Sequence, residues 1–262
     1  MTITYEDVVK AQQTQNKVIR KTNLEFSETF SKICGANVYL KNEYEQKTGS
    51  FKIRGAYYKI KSLTDDEKNK GVVAASAGNH SQGVAFASHI ENIPCTIVMP
   101  KNASPAKVAA TRGYGAKVVL EGTTYDESWA YAKKISEESD STIIHAFDDS
   151  HVIAGQGVIG LEIIEQLPDV DEIYVPIGGG GLAAGIIMAV KEKHPNVKII
   201  GVESNAYPAM KKSLETNSLQ TVNGATTIAD GISVKTPGKL TFEIVKQKID
   251  KIVTVEDSED RK

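Results

Sequence analysis

The sequence predicts an α/β protein built on open, mostly parallel sheets. Short β-branched runs alternate with segments of helical periodicity, the chain order of parallel strands joined by crossover helices. Twice a strand-like run breaks at glycine and passes straight into a helix-like run, at "AASAGNHSQG" (74–83) and at "VPIGGGGLAAG" (175–185). Such strand-to-helix junctions are where open α/β sheets gather ligands.

The elements follow in order. "NVYLK" (37–41) reads as a strand, and a helix-like run follows the Thr-Gly-Ser turn at 48–50. "GVVAAS" (71–76) is a buried-type strand that opens into a helix from Asn79 to about His89. "CTIVMP" (95–100) is a strand, then a helix spans Ser104 to Arg112, then "AKVVLEG" (116–122) is a strand. A helix over Thr124–Glu138 and a strand "STIIHAF" (141–147) close that series. A helix from His151 to Gln166 precedes a strand at 171–178, a helix at 181–194 and a strand at 196–204. The stretch from Lys239 reads as a helix and a last strand, "KIVTVE". No repeat or linker composition marks a boundary. The expected division is a larger unit from residues 1–45 plus 151–262, with a smaller one, 46–150, set within it.

Composition narrows the function. Apolar residues make up 40 % and charged residues 24 % of 262, an ordinary enzyme-like balance. The net charge of −2 offers no electrostatic reason for nucleic acid or an anionic membrane as partner. Two cysteines, Cys34 and Cys95, have no metal-ligand spacing and suit a reducing compartment. No apolar run reaches the length of a membrane span and no secretory h-region opens the chain, so a cytoplasmic protein is expected.

Three places carry chemistry. Lys52 sits between Phe51 and Ile53 at what reads as an interior bend. It either snorkels or is enclosed as a nucleophile that desolvation keeps partly deprotonated. The turn at Asn79 and His80 opens a helix, whose first N–H groups suit an anion, although asparagine is also a common helix cap. Four glycines, 178–181, expose bare backbone before another helix, which describes a phosphate cradle. Residues 171–204 also outline a dinucleotide fingerprint, with Glu203 placed for a ribose diol. That alternative, an oxidoreductase, leaves Lys52 and the Asn79 turn unexplained. A phosphorylated aldehyde accounts for all three places, and pyridoxal 5′-phosphate is such a cofactor.

The segments "LKNEYEQKTGSFKIRGA" (40–56), "SAGNHSQGVA" (76–85), "GGGGLAAG" (178–185) and "TIADGISV" (227–234) resemble those of the fold type II pyridoxal-phosphate enzymes. Among these the chain is most similar to the threonine/serine dehydratases of the catabolic threonine ammonia-lyase type. The resemblance implies that Lys52 bonds the cofactor aldehyde and then serves as base. It places Asn79 on the phenolic oxygen, Gly178, Gly179, Gly180, Gly181 and Leu182 on the phosphate, and Phe51 beside the cofactor. It places Ser76, Ala77, Asn79 and His80 at the substrate carboxylate. L-Threonine would give 2-oxobutanoate and ammonia, and L-serine pyruvate. Serine racemases resembling this chain carry serine where Ala77 stands, and alanine transfers no proton. The resemblance further implies a homo-oligomer, often nucleotide-responsive. The acidic residues of the divalent-cation version are absent after Glu203, so no metal is expected. A polar partner for the ring nitrogen belongs to a later Ser-Gly-Gly-Asn-like segment. None follows Val255, and further C-terminal sequence is expected.

Overall fold

A computed structural model describes residues 3–258. Helix α1 (Tyr5–Gln15) leads into a small antiparallel pair, β1 (Leu24–Phe26) and β2 (Tyr39–Lys41), joined by α2 (Glu28–Cys34). Helices α3 (Lys52–Lys61) and α4 (Asp65–Lys70) precede β3 (Val72–Ala75), α5 (Asn79–Ile90), β4 (Cys95–Met99), α6 (Pro105–Gly113), β5 (Lys117–Leu120), α7 (Tyr125–Ser139) and β6 (Thr142–Ile143). Then come α8 (Ser150–Gln166), β7 (Glu172–Pro176), α9 (Gly181–Val190), β8 (Lys198–Ser204), α10 (Ala209–Glu215), α11 (Lys239–Lys248) and β9 (Lys251–Val255).

Two parallel sheets result, ordered β5-β4-β3-β6 and β7-β8-β9. Strand β3 has neighbours on both sides and is buried at every residue, which is why "VVAA" is apolar without alternation. Edge strand β7 alternates buried Ile173 and Val175 with exposed Tyr174 and Pro176. One core packs α1, α8 and α9 on the three-stranded sheet, and another packs α3 and α5 on the four-stranded one. No helix among the described residues is long and apolar enough to cross a membrane.

The expected strand at 141–147 pairs only over Thr142–Ile143. Its last ladder bond runs from the N–H of Ile144 to the carbonyl of Val73 (2.9 Å). Beyond it the ring of His145 takes the next backbone donors and the chain curls off the sheet. The short elements α2, α4, α10 and β1 carry too little periodicity to be read from sequence, whereas α1, eleven residues opened by a Thr4–Asp7 capping box, was missed although its start signal was present.

The two sheets meet through helices that approach backbone to backbone. A Cβ on Gly55 of α3 would lie 2.7 Å from the carbonyl oxygen of Val152 in α8, and one on Gly155 2.7 Å from that of Arg54. A Cβ on Gly157 of α8 would lie 2.6 Å from the carbonyl oxygen of Gly185 in α9. On the other flank, a Cβ on Gly83 of α5 would come within 3.1 Å of the carbonyl carbon of Lys52. Real Cβ atoms essentially never come that close at Gly55, Gly155 and Gly157, and seldom as close as at Gly83, so these glycines let α5, α3, α8 and α9 stack in contact. Each of the three sequence motifs opens one of those helices, and the stacking gathers the motifs.

Candidate active site

Lys52 is the first residue of α3. Its Nζ donates to the carbonyl of Ala146 (2.9 Å) and, among the described residues, has no carboxylate partner. Burial without a counter-charge pulls its pKa from 10.5 down to about 8. A fraction of this amine is therefore neutral at ordinary pH, the form a nucleophile requires. Phe51 packs at the edge of the first core, its ring centroid 5.3 Å from the amine.

Helix α5 brings the second motif. Ser76 sits at the end of β3, its Oγ accepting from the N–H of Gly78 (3.1 Å). Ala77 is half-buried against the second core and Asn79 is exposed. His80 is buried, and its Nε2 donates to the carbonyl of Ile144 (2.9 Å). Its Nδ1 is left as a buried acceptor with no partner among the described residues. Burial, then the nearby Lys52 amine, hold its pKa down at about 3, so this ring is neutral.

Helix α9 brings the third. Gly179, Gly180 and Gly181 are buried, and Gly178 and Leu182 half-buried. A Cβ at Gly179 would collide with the ring carbons of Phe147, and one at Gly181 would lie 2.9 Å from that residue's Cβ. Gly180 has φ +92°, a conformation costly for any other residue. The Gly179 carbonyl is tied away by the hydroxyl of Thr241 (2.6 Å) and the N–H of Gly238 (3.2 Å).

The helix starts differ in an informative way. Asp149 caps α8, Asp148 accepts from the N–H groups of Lys239, Leu240 and Thr241 at the start of α11, and Glu203 accepts from those of Met210 and Lys211 in α10. Helices α5 and α9 follow glycine N-caps, Gly78 and Gly180, and like α3 and α6 they have no side-chain cap and no acidic residue in the first turn. Open N-termini beside a desolvated amine suit an anionic, carbonyl-bearing ligand.

Glu203 does not fill the ribose role of the dinucleotide alternative. Its carboxylate is fully buried and spent on the α10 backbone, and burial raises its pKa to about 7.

Residues the sequence reading did not single out complete the site. The segment Ile144–Asp148 meets His80, Lys52, the glycine loop and α11 in turn. Its signal was "HAFDD", polar and aromatic residues crowded at a strand end. Arg54, two residues past Lys52, is fully buried between Glu43 (2.8 Å) and Glu162 (2.7 Å), and Lys41 also meets Glu162 (2.6 Å). Two cations and two carboxylates thus pin the start of α3 from behind.

A direct test of the loop is Gly179→Ala. The new methyl group must displace Phe147, so affinity of cofactor-free protein for pyridoxal phosphate should fall tenfold or more, about 1.4 kcal/mol. Absorbance titration measures it, and parent-like affinity would remove this loop from the site. Gly179→Asp should lose more, because its carboxylate also repels the phosphate.

Comparison with known proteins agrees with this geometry. Residues 16–262 match the family model described as pyridoxal-phosphate dependent enzyme. The L-threonine ammonia-lyase of Thermotoga maritima is 51 % identical over 257 residues, 98 % of this chain and 64 % of that protein. The Escherichia coli protein named L-threonine dehydratase catabolic TdcB is 47 % identical over 259 residues, 99 % of this chain and 79 % of that one. Among solved structures, serine racemase from Dictyostelium discoideum superposes with a TM-score of 0.93 at 38 % identity, covering 100 % of this chain and 84 % of that one. The chain thus spans less than two thirds of the length of the Thermotoga relative.

Proposed function

The chain belongs to the pyridoxal-phosphate dependent enzyme family, and from that premise we propose that it carries the catalytic unit of an ammonia-lyase for L-threonine, with L-serine as secondary substrate. The observation that carries this reading is the desolvated, carboxylate-free amine of Lys52 at the gathering point of two uncapped helix starts. The residues fit the cofactor: Lys52 would bond its aldehyde, Gly178–Leu182 would bind its phosphate through backbone N–H groups, and Asn79 would meet its phenolic oxygen. The bound cofactor would supply an electron sink for a negative charge at the substrate Cα.

The chain's own residues would do the rest. The start of α5, with Ser76, Ala77, Asn79 and His80, would orient the substrate carboxylate. Lys52 Nζ, once free, would take the Cα proton, and a pKa of about 8 leaves it able both to accept and to return one. Loss of the β-hydroxyl as water and hydrolysis of the resulting enamine would yield 2-oxobutanoate and ammonia. We place the smaller unit at 46–150, the larger at 1–45 plus 151–262, and the whole in the cytoplasm as a homo-oligomer. Incubation with L-threonine tests the reading: ammonia and 2-oxobutanoate should form in equal amounts, and their absence from cofactor-loaded protein would sink it.

The racemase reading turns on Ala77. A methyl group stands there, half-buried on the turn after β3, and offers no proton to the second face of the substrate. Ala77→Ser should produce D-serine from L-serine at a stability cost of about 1 kcal/mol. Chiral chromatography decides: no D-serine above the parent level would mean that residue 77 does not face the substrate.

A further inference from the structure

We propose that His145 is a positioning residue, whose unprotonated Nδ1 shapes the Ala146–Asp148 turn that joins Lys52 to the glycine loop and to α11. The observation is a double acceptance. His145 Nδ1 takes the N–H of Asp148 at 2.8 Å and that of Phe147 at 3.3 Å, so this nitrogen bears a lone pair and no proton. Among the described residues nothing else holds those two donors, and they belong to the residues that do the joining. Ala146 gives its carbonyl to Lys52 Nζ, Phe147 lies against Gly179 and Gly181, and Asp148 takes three N–H groups of α11. The contacts of Ile144, Ala146 and Asp148 with His80, Lys52 and α11 anchor the segment from outside, and the ring nitrogen is the acceptor within the turn itself.

The ring is itself held by aromatic edges. Trp129 stands at 5.1 Å and 83°, and Phe147 at 4.7 Å and 90°. Burial favours its neutral form first; Asp148 and Asp149 favour the cation, and Lys52 opposes it, with a net lowering. His80, coupled electrostatically to His145, is neutral and adds no charge. Protonation would put a hydrogen on Nδ1, directly against two backbone donors, and the turn would open.

The sign follows. The folded pKa lies below the unfolded one, so the ring's contribution is complete above the unfolded value near 6.5 and is lost as pH falls through the folded value. His80 adds acid lability of the same sign, so only the difference between parent and a His145 variant isolates this residue.

The proposal rests on the pyridoxal-phosphate reading only for its binding readout. Trp129 is the one tryptophan in the chain and touches the ring, so its fluorescence reports on His145 without cofactor. In cofactor-free parent, acidification should quench Trp129 with a midpoint below about 6.5. His145→Asn keeps an acceptor oxygen near the two N–H groups and cannot titrate, so it should remove that quenching step. Affinity for pyridoxal phosphate, by equilibrium dialysis near pH 8, should stay within about threefold in His145→Asn and fall about tenfold or more in His145→Leu. The ratio of parent to His145→Asn affinity should fall as pH is lowered through the folded pKa of His145, because only the parent loses its acceptor. An unchanged quenching step in His145→Asn overturns the proposal, as does equal affinity of the Leu variant and the parent. If His145→Leu fails to fold, the fluorescence step and the affinity ratio of parent to His145→Asn decide alone. If the parent binds no pyridoxal phosphate, the functional reading falls and the fluorescence comparison still judges the turn.

Discussion

Lys52→Ala should abolish ammonia release from L-threonine, by at least about 10³-fold, while the protein still folds. Two losses combine in that figure. Burial lowers the pKa of this amine to about 8, it donates to the carbonyl of Ala146, and among the described residues it has no carboxylate partner. No ion pair is broken by its removal, so the fold should lose little: the side chain's own contacts are one hydrogen bond and the ring of Phe51. Desolvation even disfavours the charged lysine in the parent, and alanine at the first position of a helix is well tolerated. The variant should keep its far-ultraviolet circular dichroism and its melting temperature within a few degrees. It should also lack the visible absorbance that pyridoxal phosphate acquires on a protein lysine. A variant that kept that band would move the covalent link to another lysine.

The largest expected effect on stability belongs to Arg54. Its guanidinium spans Glu43 and Glu162 through four hydrogen bonds of 2.7–2.9 Å, with no exposed surface. Arg54→Met would leave two carboxylates facing one another with Lys41 alone between them. Breaking one side of a buried ion cluster costs about 3–5 kcal/mol, which for a chain of this size lowers the melting temperature by roughly 10 °C. Arg54→Lys keeps the charge without the planar fork and should fall between. Lys21→Ala, which removes an exposed pair with Glu165, should cost under about 1 kcal/mol. Thermal unfolding of all three separates the cases. If Arg54→Met melted within a degree or two of the parent, the cluster would not be what fixes the start of α3.

What could be read in advance divides by the range of the interaction. The strands from Val72 to Ser204 and the helices between them were legible because burial writes itself into sequence, as continuous apolar runs in β3 and α9 and as alternation in β7. The three motifs were legible because glycine and lysine are conspicuous in apolar surroundings. His145 and Phe147 were hidden: a histidine earns its place there by accepting two N–H groups three residues or fewer away, which no pattern announces. Arg54 was quoted inside a motif, yet its partners lie 11 and 108 residues off. Glu203 illustrates the reverse. Its spacing from the glycines fits a nucleotide site, whereas the chain folds α10 back onto its carboxylate.

The glycine contacts among α3, α8 and α9 also constrain motion. Where backbone lies on backbone few side chains intervene, and at the α3–α8 contact those of Gln15 and Gln156 are themselves hydrogen-bonded to the backbone of Arg54, Gly155 and Gly55, so the helices cannot separate gradually without losing contact. Any rearrangement of one sheet against the other must then be a slide along the helix axes, a shear, with hinges confined to the connecting loops. Amide hydrogen exchange should show this as slow, correlated protection across Gly55, Gly155, Gly157 and Gly185, set apart from faster exchange in residues 217–229.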